Sequence, residues 1–513
     1  MRMGIDVGGT NTDAVLMDGS AVVAKVKVPS TTDVSCGVLD AVTRLLARAR
    51  VPVGQLRGVM VGTTHFTNAL VERRRLQEVA AVRLGLPATA ALPPMVDWPL
   101  DLRSELGDHG FLVHGGHEFD GRRLSPVDAG ELRRVAREIG RRGVRSVAIT
   151  GVFSPVNPEA ELEAAAILRE ELPDASLSLS HEIGRMGLLE RENASILNAC
   201  LKDLAKTTIR ALRESLAQAG VSAPLYLAQN DGTLMSGDRA ERSPVSALCS
   251  GPTNSMRGAA FLTGLTDAIV VDIGGTTTDV GALRRGLPRE ASMTRKVAGV
   301  RCNLRMPDVR SIGLGGGTRV LDVPLRIGPR SVGHELARRA LVFGGDTLTA
   351  TDIAVAAGFA AIGDRARVAQ LPGELVARAA ERIHEMVEAA VDQAKPAAGD
   401  MPVVLVGGGA SLIRGPLQGT SEIIRPQHAE VANAVGAAIA QVSGEVDRIV
   451  DLERVSREDA LAEAQAEAIA RASAAGADPT SVQLVDVEEV PLAYLPSSAT
   501  RIRVKAIGDL RSA

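Results

Sequence analysis

Short apolar runs alternate with longer helical segments along the N-terminal part of the chain. The apolar runs at residues 21–28, 59–61 and 144–150 predict β-strands, and the spacing at residues 38–49 predicts an amphipathic helix. A longer helical segment at residues 188–219 is expected to link two halves of the protein. Strands that alternate with helices are typical of a mostly parallel sheet whose faces the helices cover.

Two further helices are indicated by the residues that begin them. Ser125 precedes Pro126, and an N-cap serine followed by proline at the first helical position favours a helix start. Asn157 and Pro158 repeat this device later in the chain. The two helices are expected to end near residues 142 and 172.

One eight-residue sequence occurs twice, about half a chain apart. Asp-Val-Gly-Gly-Thr-Asn-Thr-Asp at residues 6–13 returns as Asp-Ile-Gly-Gly-Thr-Thr-Thr-Asp at residues 272–279. Each copy stands between two apolar runs, which predicts a β-hairpin with a glycine-rich turn. Glycines let the turn backbone approach a ligand with its N–H groups exposed, and threonine hydroxyls add donors. A single hairpin of this kind is more often a plain tight turn than a nucleotide site. Two such hairpins half a chain apart favour a phosphate as the ligand.

A third glycine cluster follows another apolar run. Residues 403–406 are Val-Val-Leu-Val, and Gly407, Gly408 and Gly409 come directly after them, ahead of a helix-compatible segment. This order predicts a strand that ends where a nucleotide binds. The two hairpins predict homologous half-structures that face each other across a cleft.

These features divide the chain into three predicted regions. Residues 1–187 form an N-terminal half with the first hairpin, and residues 188–445 form a second half with the second hairpin and the glycine cluster. Residues 446–513 are expected to form a small α+β appendage. There, Ser456 and Asp459 form a capping-box pattern ahead of an Ala/Glu-rich helix, and two strand-like runs follow.

Composition and charge argue against several functional classes. The 513 residues carry a net charge of −3 without a long block of one sign, which disfavours nucleic acid and anionic membrane surfaces as partners. Aromatic residues make up 2% of the chain, too few for a surface that stacks single-stranded nucleic acid. No apolar run approaches the roughly 20 residues of a membrane span. The first strand begins almost at once, so no signal peptide is expected.

The cysteines favour a reducing compartment. Cys36, Cys200, Cys249 and Cys302 lie far apart and include no Cys-x-x-Cys pair, which fits neither a disulfide framework nor a zinc site. A cytoplasmic location is therefore expected.

The three glycine-rich segments together resemble the signature of the actin-like ATPase superfamily, which includes sugar kinases and Hsp70-type chaperones. The resemblance implies an α/β fold with duplicated, ribonuclease H-like halves around a nucleotide cleft, and ATP and Mg²⁺ as cofactors. The hairpins correspond to two phosphate-binding loops and the late cluster to the adenosine motif. Asp6 and Asp272 open the hairpins, and their carboxylates are expected to hold a hydrated Mg²⁺ rather than contact phosphate directly.

Five further segments resemble one family, the hydantoinase/oxoprolinase family, in its ATP-hydrolysing subunit. The most specific are Val-Gly-Thr-Thr-His-Phe-Thr-Asn-Ala-Leu-Val-Glu-Arg at residues 61–73 and Ser-Ala-Leu-Cys-Ser-Gly-Pro at residues 246–252. Sugar kinases and Hsp70 proteins lack the Gly-Thr-Thr and Ser-Gly-Pro blocks of these two segments. The others are residues 311–318, 327–333 and 349–352. These segments occur in family order, and the resemblance covers most of the chain.

Members of that family couple ATP hydrolysis to opening a cyclic amide or to carboxylating a ketone. The resemblance implies ATP-dependent activation and hydrolysis of a hydantoin-, oxoproline- or lactam-like carbonyl together with a second hydantoinase-type subunit, in a hetero-oligomer. Amide resonance makes such a carbonyl a poor electrophile, and phosphorylating its oxygen gives an imidate that water can attack. An ATP-driven reactivating chaperone of a partner enzyme and a small-molecule kinase are the alternatives.

Two departures from the family pattern leave the substrate open. Val61 stands where the family usually has a histidine, and His65 follows three residues after Gly62. The sequence after Val332 is Gly-His-Glu-Leu-Ala and lacks the cysteine-containing block of longer members. The substrate can therefore differ from both hydantoins and 5-oxoproline.

The candidate site residues come from these segments. Asp272, Asp6 and His65 are the catalytic candidates, and Asp272 is expected to position the attacking group. Thr63, Thr64 and Asn68 are the substrate-binding candidates. The ATP-binding candidates are Gly8, Gly9, Thr10, Asn11, Thr12, Gly274, Gly275, Thr276, Thr277, Thr278, Gly315, Gly316, Gly407, Gly408 and Gly409.

Three histidines offer a weaker metal-site hypothesis. His109, His114 and His117 are close in sequence, but their spacing fits no tight metal motif and glycines around them suggest an exposed hairpin. No nucleophile-elbow sequence with a Ser-His-Asp set is visible, so a serine hydrolase is not expected.

Overall fold

The structure is a computed structural model that describes residues 1–30, 34–291, 295–493, 495 and 498–511. Its first part carries the first hairpin. The elements there are β1 (Arg2–Val7), β2 (Asn11–Asp18), β3 (Ala21–Pro29), α1 (Val34–Ala49), β4 (Val59–Thr63) and α2 (His65–Glu72). β1 pairs antiparallel with β2 and parallel with β4. The strand predicted at residues 21–28 and the helix predicted at residues 38–49 are confirmed as β3 and α1.

A separate four-stranded parallel sheet follows. Its region contains β5 (Val79–Leu86), α3 (Leu100–Glu105), β6 (His109–His114), α4 (Ala129–Arg141), β7 (Ser146–Gly151), α5 (Glu159–Glu171), β8 (Ser176–Leu179) and α6 (Ser180–Ile183). The strand order is β6-β5-β7-β8. Helices α4 and α5 pack on this sheet. The predicted parallel sheet, with strands that alternate with covering helices, is therefore confirmed in this region.

The helix start predicted at Ser125 is wrong by a few residues. Helix α4 begins after Asp128, whose side chain accepts the N–H of Glu131. Ser125 instead accepts the N–H of Gly115 at 2.8 Å and donates to the carbonyl of Leu86 at 2.9 Å. Its hydroxyl therefore joins two strand ends and does not cap the helix.

A long helix leads from this sheet back to the first one. The elements are α7 (Leu188–Gln218), β9 (Leu225–Ala228), β10 (Leu234–Ser236), α8 (Gly237–Arg242) and α9 (Ser250–Thr263). Helix α7 confirms the helix predicted at residues 188–219. β9 pairs parallel with β4, which returns the chain to the first sheet.

The second hairpin lies in a six-stranded sheet. Its region contains β11 (Ala268–Ile273), β12 (Thr278–Arg284), β13 (Leu287–Pro288), β14 (Arg295–Val297), β15 (Val300–Cys302), β16 (Val309–Ile312), β17 (Thr318–Leu321), β18 (Arg326–Ser331), α10 (Leu336–Arg339), α11 (Ala350–Ala356), α12 (Gly373–Ala394), β19 (Met401–Val406) and β20 (Thr420–Ile424). β11 pairs antiparallel with β12 and parallel with β19, as β1 does with β2 and β4.

The C-terminal elements extend the first sheet. They are α13 (Ala432–Ile439), β21 (Val442–Asp451), α14 (Arg457–Ala474), β22 (Gln483–Pro491) and β23 (Ala499–Gly508). The first sheet then has the order β22-β23-β21-β10-β9-β4-β1-β2-β3. Ser456 caps α14 as predicted, since its side chain accepts the N–H of Asp459. The boundaries proposed at residues 187 and 445 stay predictions.

Helices α9 and α13 cross between the two hairpin-bearing sheets. Gly258 and Gly436 allow the crossing, because a Cβ at Gly258 would overlap the carbonyl of Ala432 and one at Gly436 that of Asn254. Apolar side chains of α9 pack on β11, and those of α13 pack on β2. Across the described residues, no helix is long and apolar enough to cross a membrane.

Candidate functional site

The two repeated sequences form hairpins of the same register. Asp6 lies opposite Asp13 in the first, and Asp272 lies opposite Asp279 in the second. Each turn is closed by one backbone hydrogen bond, from Gly8 to Asn11 at 3.1 Å and from Gly274 to Thr277 at 2.9 Å. The predicted duplication is therefore present in the backbone as well as in the sequence.

The tips of the hairpins face each other. A Cβ at Gly275 would lie 2.6 Å from Oγ1 of Thr10, so the backbone of one turn lies against a side chain of the other. Gly9, at the equivalent position of the first hairpin, has no other atom within 4 Å of the corresponding point. The hairpins thus form the two walls of a narrow cleft.

Four carboxyl groups meet near this cleft. Burial, together with the nearby Asp13 and Asp272 carboxylates, raises the pKa of Asp6 to about 7. Burial also raises the pKa of Asp272, while the polar side chains of Ser255 and Asn433 lower it. Burial and the charge of Asp272 raise the pKa of Asp279 to about 6, although Ser311 donates a hydrogen bond to it. Close like charges in a dehydrated site favour a bound cation.

Lys27 is a cation of this site that sequence reasoning missed. Its Nζ lies 2.6 Å from Oδ2 of Asp13, across the β2–β3 pair. Its charge lowers the pKa of Asp13, Asp6 and Asp272, and burial raises all three. The signal was available in principle, since residues 21–28 were expected to be a strand beside the hairpin. Its register to β2 could not be read from the sequence.

Asn433 is a second residue that sequence reasoning missed. Its Nδ2 donates to Oδ2 of Asp6 at 3.4 Å from the start of α13. No glycine-rich or charged motif marks this position, because only the crossing of α13 over β1 brings it to Asp6.

The late glycine cluster lies against the second hairpin. A Cβ at Gly407, where φ is +83°, would overlap Oδ1 of Asp272, and one at Gly409 would lie 2.6 Å from Cγ2 of Ile273. Gly408 has no other atom within 4 Å of its Cβ position and faces open space. The cluster follows strand β19 as predicted, but the helix-compatible segment after it forms only a 3₁₀ turn at Ala410–Leu412.

A cavity of about 800 Å³ is lined in part by residues that follow this cluster in sequence. Its lining includes Phe359, Glu381, His384, Leu412 and Arg414. Apolar and polar side chains therefore share its wall, to which the three glycines themselves do not contribute.

Gly315 and Gly316 lie underneath the second hairpin. The N–H of Gly316 donates to the carbonyl of Gly274 at 3.0 Å, and a Cβ at Gly315 would lie 2.5 Å from the backbone nitrogen of Thr276. Thr278 donates its hydroxyl to the carbonyl of Leu314 at 2.7 Å. These contacts hold the hairpin in place.

The turn after β4 carries the substrate candidates. Thr64 donates its N–H to the carbonyl of Val7 at 3.3 Å, which fixes the turn beside the first hairpin. Thr63 is buried and accepts the N–H of His65 at 3.1 Å, and Asn68 donates to Oγ1 of Thr64 at 3.4 Å. Burial and the charge of Arg75 lower the pKa of the His65 imidazole, which favours its neutral form.

The segment at residues 246–252 lies directly opposite this turn. Cys249 donates its N–H to Oγ1 of Thr67 at 3.1 Å, and its φ of +56° lies in the left-handed region that non-glycine residues rarely adopt. A Cβ at Gly251 would lie 4.0 Å from Cγ2 of Thr64. Two segments that are nearly 200 residues apart in sequence thus form one surface at the start of α9.

Several buried polar atoms around the cleft have no hydrogen-bond partner in the described part of the chain. They are Oδ1 of Asp6 and Asp13, Oγ of Ser250, both amide atoms of Asn254, and Oδ1 of Asn433. Each such atom costs about 1–3 kcal/mol if it stays unpaired. The cluster fits a site that holds a polar ligand, a hydrated cation or both.

The three histidines do not converge. His109 contacts Glu78 at 3.2 Å, His114 contacts Glu131 at 3.1 Å, and His117 is fully buried beside Val152. Within the described ranges, no group of three or more His, Cys, Asp or Glu side chains is arranged to hold a metal ion. A cation held only by Asp6 and Asp272 would therefore keep most of its water ligands.

Comparison with known proteins finds two family models and several relatives that match this chain. The hydantoinase/oxoprolinase N-terminal region matches residues 2–172, and the hydantoinase/oxoprolinase domain matches residues 191–364. The chain is 29% identical to caprolactamase subunit alpha of Pseudomonas jessenii over 390 residues, which are 71% of this chain and 55% of that protein. It is 26% identical to the acetophenone carboxylase gamma subunit of Aromatoleum aromaticum over 400 residues, 69% of this chain and 53% of that protein. The matches thus span about half the length of these relatives.

Two solved structures share the fold. An ATP-dependent caprolactamase from Pseudomonas jessenii superposes with a TM-score of 0.78 at 21% identity, covering 100% of this chain and 88% of that chain. A nucleotide-free acetone carboxylase gives a TM-score of 0.73 at 17% identity, with the same coverage. The predicted α/β fold with two hairpin-bearing halves is confirmed, and the chain belongs to the hydantoinase/oxoprolinase family.

Proposed function

We propose that this chain binds Mg·ATP between its two hairpins and uses it to activate the carbonyl of a cyclic amide, which is then hydrolysed together with a partner subunit. One observation carries the proposal: the aspartates of two facing hairpins lie close enough to influence one another's pKa values, and Oδ1 of Asp6 and Oδ1 of Asp13 are buried without hydrogen-bond partners in the described structure. A caprolactamase alpha subunit among the relatives supports the substrate class.

The metal ion is assigned to Asp6 and Asp272. Both lie at the first position of a hairpin, and burial raises the pKa of both carboxyl groups, with the nearby Asp13 and Asp272 carboxylates adding to the effect at Asp6. A bound cation would favour the charged form of each. A bound Mg²⁺ would neutralise phosphate charge in the cleft. Lys27 and Asn433 orient Asp13 and Asp6 around that position.

The nucleotide is assigned to the loops and to the cavity that Leu412 and Arg414 help to line. The phosphates are expected along Gly8–Thr12 and Gly274–Thr278, where tight turns leave N–H and hydroxyl groups at the tips. Gly315 and Gly316 contribute by supporting the second loop. The base and ribose are expected against Gly408 and in the cavity of about 800 Å³, which is large enough for them.

The chemical step joins the substrate carbonyl oxygen to the γ-phosphorus of ATP, and the bond from that phosphorus to ADP breaks. Loss of the amide proton to solvent would leave an O-phosphorylated imidate, with an uncharged C=N group and an anionic phosphate, whose carbon accepts water more readily than that of the parent amide. Asp272 is assigned the role of positioning the attacking group. Thr63, Thr64, His65 and Asn68 lie where the first hairpin meets the start of α9 and are assigned to the substrate.

Hydrolysis is assigned to the partner. The described residues contain no cluster of metal ligands typical of a hydrolase centre. The names of two relatives, a subunit alpha and a gamma subunit, support a hetero-oligomer. A cytoplasmic location is part of the same proposal, supported by four cysteines that form no disulfide in the structure.

Ketone carboxylation is the second candidate, because one relative is an acetophenone carboxylase subunit. A coupled assay distinguishes lactam hydrolysis from ketone carboxylation. With the chain, its partner, Mg·ATP and a lactam, ADP and the ring-opened amino acid should form in equal amounts. The chain alone should release ADP slowly and open no ring. Ring opening by the chain alone would contradict the division of labour, and ADP release that depends on bicarbonate and a ketone would favour carboxylation.

A further inference from the structure

The start of α9 carries two buried polar side chains on one face. Ser250 and Asn254 are one helical turn apart and therefore point in similar directions. Both are completely buried, and Oγ of Ser250 and both amide atoms of Asn254 have no hydrogen-bond partner in the described structure. A buried amide that satisfies neither its donor nor its acceptor is rare and points to a missing partner.

The Asn254 side chain points to the floor of the cleft. A Cβ at Gly62, at the end of β4, would lie 2.5 Å from Nδ2 of Asn254 and 3.1 Å from Oδ1 of Asp6. The backbone of Asn254 cannot retreat, because its carbonyl is packed against Gly436 of α13. The amide is therefore held beside the carboxylate of Asp6 by the crossing of two helices.

Asn254 does not act as the support of Asp6 in this structure. The Asp6 carboxylate already receives a hydrogen bond on Oδ2, from Asn433, while its Oδ1 and the Asn254 amide remain unpaired side by side. Gly62 leaves no side chain between the Asn254 amide and Asp6, and Gly251, three residues before Asn254 on α9, has only Cγ2 of Thr64 within 4.0 Å of its Cβ position.

A cyclic amide has the complementary chemistry. Ring closure forces its peptide-like group into the cis form, so that N–H and C=O lie side by side on one edge. A primary amide such as that of Asn254 presents an acceptor and donors at the same spacing, so the two groups can exchange a pair of hydrogen bonds. A ketone offers only the carbonyl oxygen and would leave Oδ1 of Asn254 unpaired.

We propose that Asn254 is the residue that recognises the cis-amide edge of the substrate, with the Ser250 hydroxyl as a further partner of the carbonyl oxygen. The inference rests on the proposed function and deepens it, because it assigns an amide rather than a ketone to this site. Binding there would place the carbonyl oxygen beside Asp6 and the hairpin tips.

The test measures ligand binding to the full chain saturated with Mg²⁺ and a non-hydrolysable ATP analogue. Two ring-matched pairs serve as probes: 2-pyrrolidinone with cyclopentanone, and ε-caprolactam with cycloheptanone. Dissociation constants are measured for wild type, Asn254→Leu, which deletes donor and acceptor at nearly constant size, and Asn254→Ala. Asn157→Asp, far from the cleft in the four-stranded-sheet region, is the matched control.

We expect wild type and the control to prefer one of the lactams over its ketone by at least about tenfold, the value of one or two net hydrogen bonds. The Asn254 variants should lose this preference through weaker lactam binding, while their affinity for the nucleotide stays within about twofold. A preference that survives in folded Asn254 variants would overturn the inference, and so would a wild type that binds both rings equally or neither. Nucleotide binding that falls with the variants would make Asn254 a support of Asp6 instead. Absence of nucleotide binding in wild type would overturn the proposed function itself.

Discussion

The Cα of Gly275 in the second hairpin lies against the side chain of Thr10 in the first, with room for no additional carbon between them. This contact joins two segments that are far apart in sequence and sets the width of the cleft between the halves. Gly9 occupies the same position in its own hairpin but faces open space. Substituting Gly275 and Gly9 in turn therefore tests the contact between the two hairpins, with Gly9 as the matched control.

Gly275→Ala should destabilise the nucleotide-free protein by about 1–3 kcal/mol, because the added methyl group forces Thr10 or the hairpin to move. Gly9→Ala should change the free energy of unfolding by less than about 1 kcal/mol, since its methyl group meets no other atom. Urea unfolding of the two variants measures the difference. Equal effects would show that the hairpins do not touch in solution.

The glycine cluster separates a structural from a ligand-binding role. Gly408→Val should leave the unfolding transition nearly unchanged and weaken ATP binding at least tenfold, because Gly408 faces the open space assigned to the nucleotide. Gly407→Ala should instead destabilise the fold, since its positive φ and the neighbouring Asp272 oxygen both exclude a Cβ. Calorimetry and thermal unfolding of both variants test this. Normal ATP affinity in a well-folded Gly408→Val protein would reduce the cluster to a turn.

The raised pKa of Asp6 makes cation binding pH-dependent. With a pKa of about 7 from burial and neighbouring carboxylates, Asp6 is mostly protonated at pH 6, and bound Mg²⁺ requires its charged form. Binding of Mg·ATP should therefore release protons at pH 6–6.5, and the release should vanish above about pH 8, where Asp6 is already ionised.

Calorimetry in two buffers of different ionisation enthalpy measures the released protons. Asp6→Asn should remove most of the release, whereas Asp18→Asn, at the exposed end of β2, should keep it. Proton release of equal size in wild type and Asp6→Asn would contradict the assignment of the titrating group.

The same pKa has a second consequence, for folding. Because the folded-state pKa of Asp6 lies above its unfolded value near 3.8, the folded protein holds the proton more tightly. Stability from this group is present below about pH 4 and is lost as the pH rises towards 7. Wild type should therefore lose stability relative to Asp6→Asn over this range. A constant difference between the two unfolding free energies from pH 4 to 7 would refute the shift.

The parts of the site that sequence predicted are those encoded locally. A glycine-rich turn between apolar runs determines both hairpins, and the structure shows them in the same register, with Asp6 opposite Asp13 and Asp272 opposite Asp279. The parts it missed depend on tertiary packing. Lys27 reaches Asp13 through strand register, and Asn254 reaches Asp6 through the crossing of α9 and α13.

The C-terminal strands illustrate the same limit. Two strands and a helix were expected in residues 446–513, and β22, β23 and α14 are present there. Their pairing was not predictable, because the link to the first sheet runs from β23 through β21 to β10 and joins Val442 to Leu234, about 200 residues earlier in the chain. No local pattern encodes such a contact.

The most direct test of the central claim is calorimetric titration of the purified chain with a non-hydrolysable ATP analogue and Mg²⁺. The wild-type chain and an Asp18→Ala control should bind one equivalent, and binding should weaken strongly when Mg²⁺ is omitted. A folded Asp6→Ala, Asp272→Ala double variant should lose this Mg²⁺-dependent binding, because both carboxylates assigned to the hydrated ion are gone. Undiminished binding by the double variant would contradict the account.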